Sequence, residues 1–489
     1  MEELKNKNIH IVGVLGNEGF AMFDFCLGSG FKNITGHDFS SPEKIEEIFK
    51  KSHPNLSNKE IENNLNIIKK NENLIHFQEN YLQDVKKADL IFLPQSWFLY
   101  KQNKPLKKLK RKIPFWGILN LYFQTKAKII GVTGSQGKTT TTRLIENIFS
   151  KSKNRFLTLG NDKFSGNSIK KALNLTDKDF LILEISHRQL LFDIKNSPDI
   201  SVILNITQNH LDDFLKPIGE KNNIKEAEKE YIKTKEKLLK YQKKQDFAIL
   251  NYEDKNCQKL IKKYQNKINI LTFSHKQSLK KGIFIKNKSF IIKYKNNEKK
   301  IAPINSFKLI GTQNIEDALA AIGASFCAKI PLKSIKEGIE TFQGPKEKFH
   351  KEKEINGIEF YVDFLSTTPE STIPAIKFFN KKIYLICGGE DKEMNYKNLA
   401  KLIEKKVKKV ILLPGTASNK IQRELATRKN KIEKVKSLEE AIEKVVRLAK
   451  RELKNNKNQK EIVLISPAAA FFRREYGGQK KLKEIFNKY

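Results

Sequence analysis

Cysteine is scarce: Cys26, Cys257, Cys327 and Cys387 lie far apart and make no C-x-x-C pair. That spacing gives no support to a zinc ribbon or a disulfide framework, and it suits a reducing compartment. Long apolar runs are missing as well. The first, Ile9 to Leu15, stops at Gly16, too short for a signal-peptide core and far too short for a bilayer span. The expectation is a soluble, unexported, cytoplasmic protein with no membrane partner. Acidic residues are also in short supply, 55 against 93 Lys and Arg, for a formal net charge of +38. Such an excess normally invites nucleic acid. Here the lysines are spread through nearly every segment, and neither a helicase-like motif nor aromatic-basic interleaving accompanies them. A solvated basic surface and no nucleic-acid partner are therefore expected. At 489 residues the chain exceeds one ordinary core, and length alone suggests about three domains.

What is present is a strand-to-helix turn in the first half of the chain. Lys128 to Val132 form a short run of strand length, and Leu144, Ile145, Ile148 and Phe149 recur at helical spacing. Between them stands Gly134-Ser135-Gln136-Gly137-Lys138-Thr139, continued by Thr140. Glycines at 134 and 137 let the backbone wrap a polyphosphate, with amide N–H groups and the helix N-terminus facing the anion. Lys138 is then placed to reach the outer phosphates and the Thr139 hydroxyl to ligate magnesium. The broad P-loop pattern has a glycine where this chain has Val132. The stretch reads as a nucleoside-triphosphate site, the plainer alternative being a turn with a solvated lysine.

Two more patterns carry chemistry. The strand Phe180 to Ser186 holds one carboxylate, Glu184, near its end. A buried acid is costly unless paired or metal-bound, so Glu184 reads as a magnesium ligand or as half of a core salt bridge. Near the N-terminus, the strand Ile9 to Val14 carries Gly13, Gly16 and Gly19 follow at three-residue spacing, and Asp38 ends a second strand-like segment. This is close to a dinucleotide turn, and packing of the next helix on the strand accounts for the glycines as well.

The run TGSQGKTTTT resembles the ATP loop of the Mur ligases, ATP-dependent amide-bond ligases of cell-wall precursor synthesis, whose loops usually read TG-x-x-GK[ST]. Further likenesses follow in order along nearly the whole chain. The resemblance implies an α/β protein of three domains. These are a Rossmann-like domain for the UDP part of the substrate (1–126), a P-loop ATPase-type domain with a mostly parallel sheet (127–342), and a Rossmann-like amino-acid domain (343–489). Gly13, Gly16 and Asp38 then belong to uridine-nucleotide recognition, and Asn161, after Leu159-Gly160, to the sugar. Pro94-Gln95-Ser96 stands where the family often has Ser-Pro-Gly near the UDP-sugar phosphates. The stretch from Glu184 to Leu190 resembles Glu-Leu-Ser-Ser-Phe-Gln-Leu of the MurD-type branch, with Ser186 retained and His187 and Arg188 departing. Asn205 to Asp212 matches Asn-[IV]-Thr-x-x-His-x-Asp, which puts His210 at a second magnesium; taken alone it is a surface or capping histidine. Tyr231 to Lys235 matches Tyr-x-x-x-Lys, whose lysine is carbamylated in several members and then ligates magnesium; a solvated lysine is the alternative. Gly311-Thr312-Gln313-Asn314 matches Gly-x-[HQ]-Asn, so Asn314 approaches the nucleotide or caps its helix.

In the last third, Lys348 stands in place of a phosphate-binding arginine and keeps its charge without the planar fork. Asp363, grouped with the ATP residues, and Thr367 match Asp-Ser-Lys-[AG]-Thr-Asn, with Leu365 replacing the lysine that helps hold glutamate. Ser466-Pro467-Ala468 resembles the turn whose serine meets the glutamate side chain. The implied reaction joins glutamate, with D-glutamate expected, to UDP-N-acetylmuramoyl-L-alanine through an acyl phosphate. It is carried by a monomer using ATP and two magnesium ions, with Lys138, Glu184, His210 and Lys235 as the catalytic set. Domain closure is expected, to keep water from the acyl phosphate. L-glutamate or another amino acid stays open, given Leu365. Folylpolyglutamate synthetase is the rival within the fold, lacking a UDP module before its ATP loop. A basic P-loop ATPase binding nucleic acid is the rival outside it, to be recognised by strongly salt-dependent binding.

Overall fold

A computed structural model describes residues 2–53, 56–161, 167–216, 219–295, 297–309, 311–344, 349–364, 366–391, 394–425, 431–455, 460–469, 482 and 484–488. The chain divides into two compact units, Met1–Phe342 and Gln343–Tyr489. No helix among the described residues is long and apolar enough to cross a membrane.

The first unit holds two sheets. In one, β1 (Asn8–Val12), β2 (Asn33–Asp38), β3 (Ile75–Phe77), β4 (Leu90–Phe92) and β5 (Phe115–Trp116) run parallel in the order β3-β2-β1-β4-β5. Strand order reverses beside β1, so the turn after it opens at a switch point, where ligands collect in such sheets. Gly13 in that turn has φ +71°, and a Cβ on Gly19, inside the helix Asn17–Gly28, would lie 1.9 Å from the Gly13 carbonyl oxygen. Close helix-on-turn packing is thus sufficient reason for Gly19.

The second sheet comprises β6 (Lys128–Thr133), β7 (Phe156–Gly160), β8 (Phe180–Glu184), β9 (Ile200–Ile203), β10 (Phe247–Asn251), β11 (Asn269–Ser274), β12 (Gly282–Lys286), β13 (Ser289–Tyr294) and β14 (Asn297–Pro303). Its order is β14-β13-β12-β11-β10-β9-β6-β8-β7, parallel except for the β12–β13 and β13–β14 pairs. Strands β8 and β9 are buried along their whole length, as parallel strands covered on both faces must be. Leu144, Ile148 and Leu319, from helices Lys138–Ser150 and Thr312–Cys327, pack with Ile130, Val132, Ile182 and Val202. Leu181 and Leu183 join a cluster with Phe92 of the first sheet and with Met22 and Phe23 of the helix Asn17–Gly28. The expected boundary at residue 126 therefore falls between two sheets that share one core.

The second unit is built on β15 (His350–Ile355), β16 (Ile358–Val362), β17 (Ile383–Gly388), β18 (Val407–Leu413), β19 (Ile432–Lys434) and β20 (Glu461–Ile465). The order is β15-β16-β20-β17-β18-β19, with only β15–β16 antiparallel. Alternate residues feed opposite faces: Ile386, Ile411 and Val463 enter one apolar cluster, Leu385, Val410 and Leu464 the other. The expected α/β, mostly parallel architecture is what the chain adopts.

Candidate active site

Strand β6 delivers the loop 134–137 to the helix Lys138–Ser150. Gly137 is the helix N-cap with φ +86°, and a Cβ there would meet Asp317 Oδ1 at 2.1 Å. The loop is tied down from the β9 side. Asn205 accepts from the Ser135 amide at its carbonyl oxygen (3.0 Å) and from the Gln136 amide at Oδ1 (2.9 Å). Ser135 Oγ donates to the Thr207 carbonyl (2.9 Å) and lies 3.0 Å from the Tyr231 hydroxyl. Ser135 and Gln136, both expected at the phosphates, thus have their amides engaged and shape the loop. Lys138 Nζ donates to the Gly134 carbonyl (2.9 Å). Burial pulls the Lys138 pKa down, and the carboxylates of Glu184 and Asp317 oppose it. Thr139 is partly exposed in the first helical turn and Thr140 is buried.

Strand β8 pairs with β6, Val132 opposite Glu184, and so sets Glu184 beside the loop. Glu184 is 2% exposed, and its Oε1 accepts from Asn161 Nδ2 (2.9 Å). From there a polar chain runs to the first sheet. Gln95 Nε2 donates to Asn161 Oδ1 (3.2 Å), Ser186 Oγ donates to Gln95 Oε1 (2.5 Å), and the Gln95 amide donates to Glu18 Oε2 (2.6 Å). Gln189 Nε2 closes the chain on Glu18 Oε1 (2.7 Å). Glu18 is buried, which raises its pKa against the hydrogen bonds from Gln95 and Gln189. Asn161, Glu184, Ser186 and the Pro94-Gln95-Ser96 turn are visible as candidates in the sequence; Glu18 is not. The available signal was an acid between Gly16 and Gly19 at the start of an apolar helix.

His210 takes φ +53° after β9, and its ring stacks on His187 at 4.8 Å and 25°. His187 Nε2 lies 2.7 Å from Asp213 Oδ2, and Arg188 grips both Asp213 oxygens, Nε to Oδ2 at 2.6 Å and Nη2 to Oδ1 at 3.0 Å. The two residues that depart from the family string thus meet on one buried carboxylate. Burial lowers the His187 pKa to about 4 although Asp213 opposes it, so the neutral ring donates its Nε2–H. The ligand atoms of His187, His210 and Asp213 lie within 4.8 Å of one another, but the Arg188 guanidinium already balances Asp213. Lys235, in the helix Ile224–Lys240, is 1% exposed, which excludes the solvated alternative. Its Nζ donates to Thr133 Oγ (3.3 Å) and lies 4.9 Å from the Tyr231 ring centre. Burial first, then neighbouring Lys138, drive its pKa well down.

Asn314 does not cap its helix: Gly311 is the N-cap, and the Asn314 amide donates to the Gly311 carbonyl. A cavity of about 640 Å³ beside this turn is lined by His275, Ile285, Phe307, Lys308, Leu309 and Thr312, among others. Asp38 spends its oxygens on the Leu15 amide (3.1 Å) and the Ser40 amide (3.0 Å), tying the glycine turn to β2. In the second unit, Asp363 follows β16 and accepts from Ser366 Oγ (2.5 Å), and Thr367 is partly exposed. Ser466 follows the adjacent β20, 0% exposed, its hydroxyl 2.8 Å from that of Thr372. Lys348 and Leu365 lie outside the described residues.

A glycine loop with its lysine, a buried acid on the next strand and a buried lysine behind them define a nucleotide-dependent enzyme of the P-loop class. Residues 132–325 match the Mur ligase middle domain and residues 348–469 the Mur ligase, glutamate ligase domain. The UDP-N-acetylmuramoylalanine–D-glutamate ligase of Caldanaerobacter subterraneus subsp. tengcongensis is 30% identical over 472 residues, 96% of this chain and 94% of that one. Its counterpart in Acetivibrio thermocellus is 27% identical over 480 residues, 96% and 93% of the two chains. The chain belongs to the Mur ligase family. Among solved structures, the UDP-N-acetylmuramate-alanine ligase MurC of Thermotoga maritima shares the fold, with TM-score 0.59 at 17% identity over 99% of this chain and 100% of that one. So does the MurF ligase of Thermotoga maritima in complex with ADP, with TM-score 0.55 at 16% identity over 100% of both.

Proposed function

We propose that this chain is an ATP-dependent ligase joining D-glutamate to UDP-N-acetylmuramoyl-L-alanine in peptidoglycan precursor synthesis. The observation that carries the reading is the convergence of the Gly-Lys loop, buried Glu184 and buried Lys235 at the ends of β6 and β8. The relatives named for this reaction supply the substrates. A carboxylate is a poor electrophile, so the acceptor carboxylate first takes the γ-phosphoryl group of ATP. The glutamate amine then attacks the acyl carbon, the C–O bond to phosphate breaks, and the amine releases a proton. Lys138, leaving the Gly134 carbonyl, is placed to stabilise the transferring group.

The donors fit magnesium: the Thr139 hydroxyl and Glu184 carboxylate are hard oxygen ligands, and the ion supplies neutralisation of phosphate charge. A buried ammonium carries a penalty of several kcal/mol, which favours the neutral amine of Lys235. Such an amine would add to carbon dioxide, forming an N–C bond and losing a proton, and the carbamate would offer oxygens that, with His210, would hold a second ion. Uridine recognition is assigned to residues 1–126 beside Gly13 and Gly16, with Asn161 and Ser186 at the sugar. ATP is assigned to residues 127–342, with Asn314 beside the cavity at Gly311, and glutamate to residues 343–489 through Thr367 and Ser466. Lys348 and Asp363 join the ATP residues. The reading places the enzyme in the cytoplasm as a monomer acting on small molecules, without nucleic acid. Its test is an ATP-dependent assay offering UDP-N-acetylmuramoyl-L-alanine with each glutamate isomer, read by product mass. One glutamyl addition is expected, faster with the D isomer by at least about 100-fold. Equal failure of both isomers refutes the acceptor.

A further inference from the structure

Three side chains converge in the first unit, off the 134–138 loop and with His275 on the wall of the cavity beside Gly311. Glu253 lies in the turn after β10, His275 directly after β11, and Glu316 in the helix Thr312–Cys327. His275 Nδ1 is 2.7 Å from Glu253 Oε2 and 3.0 Å from Glu316 Oε1, and the three ligand atoms all lie within 4.8 Å of one another. His275 Nδ1 and Glu253 Oε2 are both buried and face each other as an ion pair, neither of them in good hydrogen-bond geometry. The Glu253 side chain is 9% exposed. Its other oxygen accepts from Ser274 Oγ (2.6 Å) and the Lys276 amide (2.7 Å), which fixes Oε2 against the imidazole. Lys276 Nζ stands 3.8 Å from Oε2, on a side chain that is 69% exposed.

Two ligands bound side by side to one ion at about 2.1 Å sit about 3.0 Å apart in octahedral and about 3.4 Å apart in tetrahedral geometry; His275 and Glu316 stand at the first spacing and His275 and Glu253 a little inside it. Two carboxylates meet at this one imidazole, negative charge that a cation relieves. Imidazole with two carboxylates suits zinc or manganese better than magnesium or calcium, which prefer oxygen alone.

We propose that Glu253, His275 and Glu316 bind one divalent transition ion of the zinc or manganese type, apart from the magnesium sites of the ligase reaction. Bound there, the ion pins the helix that carries Asn314 and Asp317 to the ends of β10 and β11. Three protein ligands leave its other positions to water. The test is equilibrium dialysis of the full, nucleotide-free chain against Zn²⁺, and separately Mn²⁺, followed by elemental analysis. His275→Ala and Glu316→Gln are compared with wild type, and His210→Ala controls for the His187–His210–Asp213 cluster. One ion per chain is expected in wild type and in His210→Ala, bound at least about 10-fold more weakly in the other two variants. Circular dichroism without metal checks that each variant is folded. Undiminished binding in a folded His275→Ala or Glu316→Gln chain, loss in His210→Ala, or no ion in wild type overturns the site. Should both variants unfold, anomalous diffraction from zinc-soaked wild-type crystals decides it: a peak among the three residues supports the site, and its absence refutes it.

Discussion

Two glycine turns in the first unit occupy equivalent places, each after a central parallel strand and before a helix, and they are built for opposite purposes. The turn after β6 leads with Gly137 into Lys138, a cation at the helix start. The turn after β1 leads with Gly16 into Asn17-Glu18, a buried acid at the helix start. Its amides are already used: Gly13 and Val14 donate to the His37 carbonyl, Leu15 to Asp38, and Gly16 to the Gly13 carbonyl. Glycine spacing therefore says only that helix and strand come close. Whether the turn takes an anion is decided by the charge that follows the glycines and by which amides are left over.

The largest expected effect breaks the loop that has the cation. Lys138→Ala should cut the ligation rate by at least about 1,000-fold through lost stabilisation of the transferring group, while thermal unfolding stays near wild type. A rate within a few fold removes Lys138 from the mechanism. The next contrast is steric. Gly137→Ala meets Asp317 Oδ1 at 2.1 Å and an unfavourable φ of +86°, whereas Gly19→Ala meets the Gly13 carbonyl oxygen at 1.9 Å. Both overpack and should lose about 1–3 kcal/mol in denaturant unfolding. They should part in kinetics: Gly137→Ala raises the KM for ATP, and Gly19→Ala raises the KM for the uridine substrate. Identical KM changes in the two variants would show that the turns do not serve different ligands.

The same contrast shows what is legible in the sequence. The loop after β6 was readable because strand, glycines, lysine and helix are contiguous, and Glu184 because an acid in FLILE has no bland environment. The glycine turn was ambiguous because Glu18 acquires its meaning from Gln95 and Gln189, 77 and 171 residues away. His187 and Arg188 were visible only as departures, since Asp213, which explains both, is 26 and 25 residues on. The β12–β13 hairpin went unread for a local reason. Its turn, Asn287-Lys288, takes φ +49° and +52°, a conformation that usually announces itself by glycine, and Lys288 hides it.

The smallest effect concerns acid. Behind the turn after β1, His10 Nδ1 and His37 Nε2 lie 2.8 Å apart, and the His76 ring centre is 5.3 Å from that of His37. Burial first, then the neighbouring histidines, lower His10 from 6.5 to about 4 and His37 to about 3, with Asp84 opposing at His10. Both rings are therefore neutral in the folded chain over a range in which the unfolded chain protonates them. From pH 6.5 down to about 4 the unfolded state holds more protons at these positions, so stability falls as pH falls. Below about 3 both states are protonated and these rings remove nothing further. The loop after β6 has one comparable ring nearby, His187, so part of the acid slope belongs to it. Replacing the first pair, His10→Asn with His37→Asn, should make the loss of Tm between pH 7 and pH 5 shallower by a few degrees, even if the variant starts less stable. An unchanged slope would mean that the acid sensitivity of the first unit lies elsewhere.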